Sequence, residues 1–223
     1  MCGRFTLTAN FEQLVTSFRL LKEPQLPLRY NIAPTQDVAV IRQVETHREF
    51  SWMHWGLIPS WAKDPKIGAR MINARAETVA EKPSFRAAFK RRRCLIPATG
   101  FYEWKKLDEK HKQPYHIGMK NGDLFAFAGL WEHWNSDGAE IESCTIITTE
   151  ANELIKDIHD RMPVILPEEK YDRWLDPKNQ DKDELTAILK PSASDEMKAY
   201  TVDRIVNNPR NEIPACVEPV ESM

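Results

Sequence analysis

The feature that most narrows the folds open to this chain is a succession of short apolar runs broken by turn residues, at positions 38–41, 50–55, 94–97, 100–105, 115–119, 124–131 and 144–148. Runs of this length, rich in Val, Ile, Phe, Tyr and Trp, read as strands, and the short connections between neighbours read as antiparallel hairpins. Asn121-Gly122 is the strongest of these turns, because both residues tolerate the positive φ of a two-residue loop. A second turn, near Thr46 and His47, joins the first two runs. Helical spacing is confined to short stretches. Phe11, Leu14, Val15 and Phe18 recur on one face after a cap at Thr8 and stop before Pro24, and a basic helix follows Pro83. Shorter helices are expected over 151–158, 168–175 and 183–189, with a strand near 199–202 and an irregular tail through Asn207, Asn208 and Pro209. Neither the 8 glycines nor the 15 prolines cluster into a linker, so the expectation is a single domain over 1–223. Its class is α+β, with a largely antiparallel sheet core flanked by short helices.

Several function classes fall away on composition. No apolar run reaches the ~20 residues needed to cross a bilayer, and the N-terminus lacks the apolar core of a signal peptide, so a cytoplasmic protein without a membrane partner is expected. Cys2, Cys94, Cys144 and Cys216 are far apart and form no C-x-x-C pair, which gives no zinc signature and no disulfide framework. The formal net charge of −2 excludes a uniformly basic nucleic-acid binder and leaves room for a local basic surface.

The chemistry-bearing residues lie outside the strand cores. Removal of Met1, which a small second residue favours, would leave Cys2 with an amine and a thiol on adjacent carbons. An aldehyde meeting this 1,2-aminothiol forms an imine, and the neighbouring thiol closes a five-membered thiazolidine. The amine titrates near ~8 and the thiol near ~8.5, and Arg4 close by would favour the thiolate. A plain buried cysteine behind a start codon fits the same residues. Asn73, Arg75 and Glu77 alternate, so on a strand they share one face, either as a solvated edge or as a site. Glu103 lies inside the aromatic run Phe101-Tyr102-Glu103-Trp104, where a carboxylate must be paired, protonated or poised for proton transfer. His159 stands between acidic residues and Arg161 and titrates in the neutral range. Trp61 sits on a loop after Pro59, as a corner plug or as a stacking surface. Arg86, Lys90, Arg91, Arg92 and Arg93 concentrate positive charge, as a solvated helix face or a phosphate attractor.

Taken in order, Met1-Cys2-Gly3-Arg4-Phe5, Tyr30-Asn31-Ile32-Ala33-Pro34, Trp55-Gly56-Leu57-Ile58-Pro59-Ser60-Trp61, Asn73-Ala74-Arg75-Ala76-Glu77-Thr78, Gly100-Phe101-Tyr102-Glu103-Trp104 and Ile158-His159-Asp160-Arg161-Met162-Pro163 closely resemble the SRAP family. These are the SOS response-associated peptidases, understood as abasic-site processing proteins. The resemblance spans nearly the whole chain and implies a barrel-like SRAP fold. It implies that Cys2 links to the ring-opened aldehyde of an abasic site as a thiazolidine. Asn73 would then orient the N-terminus, Glu103 would shuttle protons and His159 would assist opening of the sugar. It further implies a groove for single-stranded DNA in which Arg4, Arg75 and Arg161 meet phosphates, Trp61 stacks on a base and Pro34 wedges near the lesion. Self-removal of N-terminal residues, a monomeric state and no metal or other cofactor complete what the resemblance implies. Two positions depart from better-known members: Ala62 follows Trp61 where a second aromatic often stands, and Pro83 fills a place that can hold a basic residue.

Two other readings use the same residues. An N-terminal Cys-Gly also opens N-terminal-nucleophile glutamine amidohydrolases, in which Cys2 attacks an amide. A noncatalytic lesion-binding module would shield single strands without covalent attachment.

Overall fold

The computed structural model describes residues 2–22, 25–136 and 138–220. Among the described residues thirteen strands form two sheets, and the strand reading from sequence holds for every apolar run named above. The five-stranded sheet has the order β13 (Met197–Thr201), β8 (Lys112–Met119), β7 (Gly100–Lys106), β1 (Phe5–Leu7) and β2 (Arg29–Ile32). The larger sheet contains β3 (Asp37–Val44), β4 (His47–Trp55), β6 (Arg93–Ala98), β9 (Phe125–Ser136) and β10 (Ala139–Glu150). These five close on themselves, because β10 pairs with β9 on one side and with β4 on the other. The barrel expected from the resemblance is therefore present. The closing β10–β4 contact is parallel, as is the pairing of β10 with β5 (Asn73–Arg75), so the sheet is mixed where closure demands it. Short β11 (Arg161–Pro163) and β12 (Ile165–Leu166) extend it.

Alternation within the strands builds the core between the two layers. Phe5 of β1 meets Trp55 at 5.2 Å and Phe127 at 5.6 Å, both edge-on, so the N-terminal strand is pinned to the barrel wall. The other face of the five-stranded sheet is covered by the C-terminal segment, which buries Tyr102, Val202, Val206 and Cys216 in a second cluster. Gly56 sits at φ +143, where a Cβ would lie 2.6 Å from the Gly68 carbonyl oxygen, so only glycine fits this crossing. Among the described residues no helix is long and apolar enough to cross a membrane.

Several local expectations are corrected. The first helix, α1 (Phe11–Phe18), is capped by Asn10 in a capping box with Gln13, while the Thr8 hydroxyl is tied to that of Thr99 at 3.0 Å. Its buried residues are Leu14 and Phe18, and Phe11 faces solvent. In place of the helix expected over 151–158, residues 153–158 form turns, with the Asn152 side chain accepting from Ile155 N at 3.1 Å. The first part of the motif around Asn31 forms the edge strand β2. The basic run after α2 (Arg86–Arg91) is not one solvated face. Arg93 is buried and donates to the carbonyls of Phe89, Lys90, Trp174, Asp176 and Asn179, and Arg92 pairs with Glu132 at 2.6 Å. The helices after β12, α3 (Tyr171–Leu175) and α4 (Lys182–Ala187), lie close to their expected positions.

Candidate active site and nucleic-acid face

The site is built where the N-terminus passes between the two sheets. Beyond β1 the chain keeps its register with β7, since Tyr102 N donates to Arg4 O at 2.9 Å. One residue further brings Gly3 opposite Glu103, and Cys2 lies just past it. On the other side, β5 is held in the barrel by its parallel pairing with β10, which sets Asn73 beside Ile146. Asn73 Nδ2 donates to the Cys2 carbonyl at 2.8 Å, so one amide ties the N-terminal residue to the barrel. Asn73 Oδ1 is buried and accepts no hydrogen bond among the described residues.

Cys2 is fully buried, and burial pushes its thiol well above the ordinary range, with the charge of Glu103 acting in the same direction. The expected help from the Arg4 guanidinium is absent, and what Arg4 contributes toward the thiolate is its backbone N–H. The guanidinium itself points to the opposite face of the sheet. Its Nη1 donates to Asn31 Oδ1 at 2.6 Å and to Val206 O at 2.7 Å, and the group lies 5.6 Å from the Trp104 ring centre.

Glu103 is 2% exposed. Burial raises its carboxyl to about 7, the nearby charge of Asp160 pushes the same way, and Lys112 opposes it weakly. A carboxyl that is half protonated near neutrality both gives and takes protons without a large driving force. His159 comes from the turn before β11. Its Nδ1 accepts from Arg161 N at 3.0 Å, which leaves the ring proton on Nε2. The Asp160 carboxylate lies 3.0 Å from the same nitrogen and favours the charged ring, while burial, the largest influence, lowers the pKa. The Arg161 N–H bond and the lowered pKa favour the neutral Nε2–H tautomer, against the pull of the Asp160 carboxylate.

The structure thus ties Asn73 to Cys2, sets Glu103 within electrostatic reach of Cys2, and brings Asp160, the neighbour of His159, within reach of Glu103. The remaining sequence-selected residues surround this site unequally. Ala74 is fully buried and Ala76 is 7% exposed, while Arg75 and Glu77 face outward, as the alternation requires. Arg161 reaches across to Glu77, with Nη1–Oε1 at 2.6 Å and Nη2–Oε2 at 3.0 Å, and Nη2 also donates to Thr148 O at 2.7 Å. Trp61 is 59% exposed and is a surface residue, not a corner plug. Its loop is anchored by a turn from Ala62 N to Pro59 O at 2.8 Å and by Trp134 Nε1 donating to Ala62 O at 2.7 Å. Ala62 is thus packed under the loop rather than displayed beside Trp61. Pro34 is half-buried in the turn before β3, next to Thr35 at φ 69.

One residue that shapes the site was not singled out from sequence. Asn31 is fully buried, accepts from Arg4, and donates through Nδ2 to the carbonyls of Val206, Asn208 and Asn211 at 3.2, 3.1 and 2.9 Å. Glu212 seals the same corner by accepting from Asn31 N at 2.8 Å, from Tyr30 N and from Arg29 Nε. Nothing local in the sequence signals this hub, because every acceptor of Asn31 Nδ2 is more than 170 residues away.

Comparison with known proteins converges on one family. The family model described as SOS response associated peptidase (SRAP) matches residues 1–209. The abasic site processing protein YoqW of Bacillus subtilis is 50% identical over 222 residues, covering 98% of this chain and 99% of that protein. The abasic site processing protein HMCES of Mus musculus is 34% identical over 200 residues, 76% of this chain and 56% of that protein. A crystal structure of a protein from Bacteroides thetaiotaomicron superposes with a TM-score of 0.88 at 29% identity, covering 99% of this chain and 100% of that one. On this agreement of family model, full-length relatives and fold, the chain belongs to the SRAP family.

Proposed function

We propose that this protein recognises abasic sites in single-stranded DNA and caps them covalently through Cys2 once Met1 has been removed. The observation that carries the proposal is the union of Cys2, fixed by Asn73, with the buried carboxyl of Glu103 raised to about 7. The names of the relatives, abasic site processing proteins, support the same substrate.

The chemistry follows from the groups present. His159 Nε2–H donates to the ring oxygen of the abasic sugar as its C–O bond opens to the aldehyde. The free amine of Cys2 adds to the aldehyde carbon, and protonated Glu103 delivers the proton with which the carbinolamine hydroxyl leaves as water. Glu103, now a carboxylate, takes the thiol proton as sulfur attacks the iminium carbon. The new C–S bond closes the thiazolidine as the C=N electron pair returns to the nitrogen, which keeps its own hydrogen, and Glu103 ends protonated as it began. The net change is loss of one water. A thiol held neutral by burial suits this sequence, because its proton is released only when the imine is ready to accept sulfur. Asn73 holds the Cys2 carbonyl, and its Oδ1 suits the N–H of the free amine. Arg75 and Arg161 are assigned to phosphates, Trp61 to base stacking and Pro34 to wedging at the lesion, whereas Arg4, expected from the resemblance to join them, holds the Asn31–Val206 corner on the far face of the sheet. Removal of Met1 by the protein itself accords with the peptidase description of the family.

The test mixes Met1-processed protein with a single-stranded oligonucleotide carrying one abasic site. Wild type should give a product that survives heat and detergent, and Cys2→Ala should give none. Equal yields from the two proteins, or no product from either, would overturn the proposal.

A further inference from the structure

Glu77 occupies an unusual place for an acidic side chain on a face assigned to DNA. Its carboxylate takes both Arg161 terminal nitrogens at 2.6 and 3.0 Å, and burial leaves the Arg161 side chain 13% exposed against 51% for Glu77. Arg75, exposed two residues earlier on the same face, acts on Glu77 as a second positive charge. The Arg161 hydrogen bond is the main influence holding the Glu77 carboxyl below its ordinary range, so the carboxylate is ionised at neutral pH.

The donors of Arg161 are nearly all committed. A guanidinium has five N–H groups. In Arg161, two go to Glu77, one goes to Thr148 O, and Nε is buried without an acceptor among the described residues. One Nη1 hydrogen is left. Arg161 therefore has no free edge for two-point contact with a phosphate while Glu77 is in place, and one unit of the Arg75–Arg161 charge is cancelled.

From this geometry we propose that Glu77 is an internal phosphate mimic that occupies the Arg161 fork and must be displaced by a DNA phosphate, which sets how strongly the protein selects damaged over intact strands. Carboxylate and phosphate present the same pair of acceptor oxygens to a guanidinium, so the exchange preserves the hydrogen bonds and reverses the loss of charge. Intact DNA has to drive that displacement by non-covalent binding alone. An abasic strand has the covalent step to commit it. The proposal rests on the DNA-binding function above.

The test measures binding of an intact single-stranded oligonucleotide by fluorescence anisotropy across a salt series, using Cys2→Ala protein so that only non-covalent binding is read. Adding Glu77→Gln should tighten binding about fivefold at low salt, the worth of a part-exposed ion pair. It should also steepen the dependence of log K on log salt by about 0.7, one further phosphate contact on a single strand. Both gains should vanish when Arg161→Gln is also present. With Met1-processed protein that keeps Cys2, the ratio of abasic adduct formed with and without excess intact competitor should fall in Glu77→Gln. If the reference protein binds DNA and Glu77→Gln binds it equally or more weakly, Glu77 instead supports Arg161 and the mimic is refuted, while the function stands. If the reference protein shows neither binding nor adduct, the function fails and the mimic with it.

Discussion

Replacing Glu103 by Gln removes a titrating carboxyl from the heart of the site while keeping its volume, and the consequence can be calculated. Burial moves the carboxyl from 4.5 to about 7. Every tenfold change in proton affinity corresponds to ~1.4 kcal/mol between the two protonation states, so ionised Glu103 costs the folded protein about 3 kcal/mol relative to its protonated form. Between these two values the folded protein holds a proton that the unfolded chain has released. Unfolding free energy therefore falls as pH rises through that window, and the loss is complete above the folded value. Glu103→Gln has no such slope. Urea unfolding of both proteins at closely spaced pH values gives the difference between them, in which all shared titrations cancel. Wild type minus variant should drop by about 3 kcal/mol between pH 4 and pH 8. A difference that stays flat to within ~0.5 kcal/mol over this range would show that the carboxyl is not held protonated by burial, and the proton-shuttle assignment would lose its physical basis.

Other changes separate scaffold from surface. Trp61→Ala should leave stability within ~0.5 kcal/mol, because the ring is exposed, yet weaken single-strand binding by ~1–3 kcal/mol, measured by anisotropy. Asn31→Ala should cost about 3 kcal/mol in urea unfolding, since it strips a buried donor from the carbonyls of Val206, Asn208 and Asn211 and an acceptor from the Arg4 guanidinium; a cost below ~0.5 kcal/mol would show that the corner re-forms without it. Arg93→Met should lower stability by ~3–5 kcal/mol, because five carbonyls lose a buried donor. Gly56→Ala should destabilise by ~2 kcal/mol or more through the clash with Gly68, read as a shift of the thermal midpoint.

Legibility in the sequence follows the range of the forces involved. Strands such as β3, β6 and β9 announce themselves because their apolar runs are local, and so does the Asn73–Arg75–Glu77 face, whose alternation is built into two-residue periodicity. Glu103 stands out because a carboxylate among Phe101, Tyr102 and Trp104 is an energetic exception wherever it is placed. Barrel closure is not readable from residues alone, since the parallel contact of Cys144 with Trp55 depends on elements nearly 90 positions apart. The environment of Cys2 is hidden for the same reason. Sequence proximity suggests help from Arg4, but strand alternation sends that side chain through the sheet to Asn31 and Val206. The Glu77–Arg161 pair, 84 positions apart, belongs with these long-range facts.

The burial of Cys2 has a consequence for the order of events during synthesis. Its walls are made by Asn73 and by β7, and the strand that follows it is locked through Arg4 and Asn31 to residues 206–211. While a ribosome is still making those later segments, the first residues of the chain have nothing to fold against and stay open to an aminopeptidase. Once the tail is released and docks, that window shuts. If Met1 is taken by an aminopeptidase and not by the protein itself, its removal is a race against completion of the polypeptide, and slowing translation between β7 and the tail would lengthen the time in which Cys2 can be uncovered.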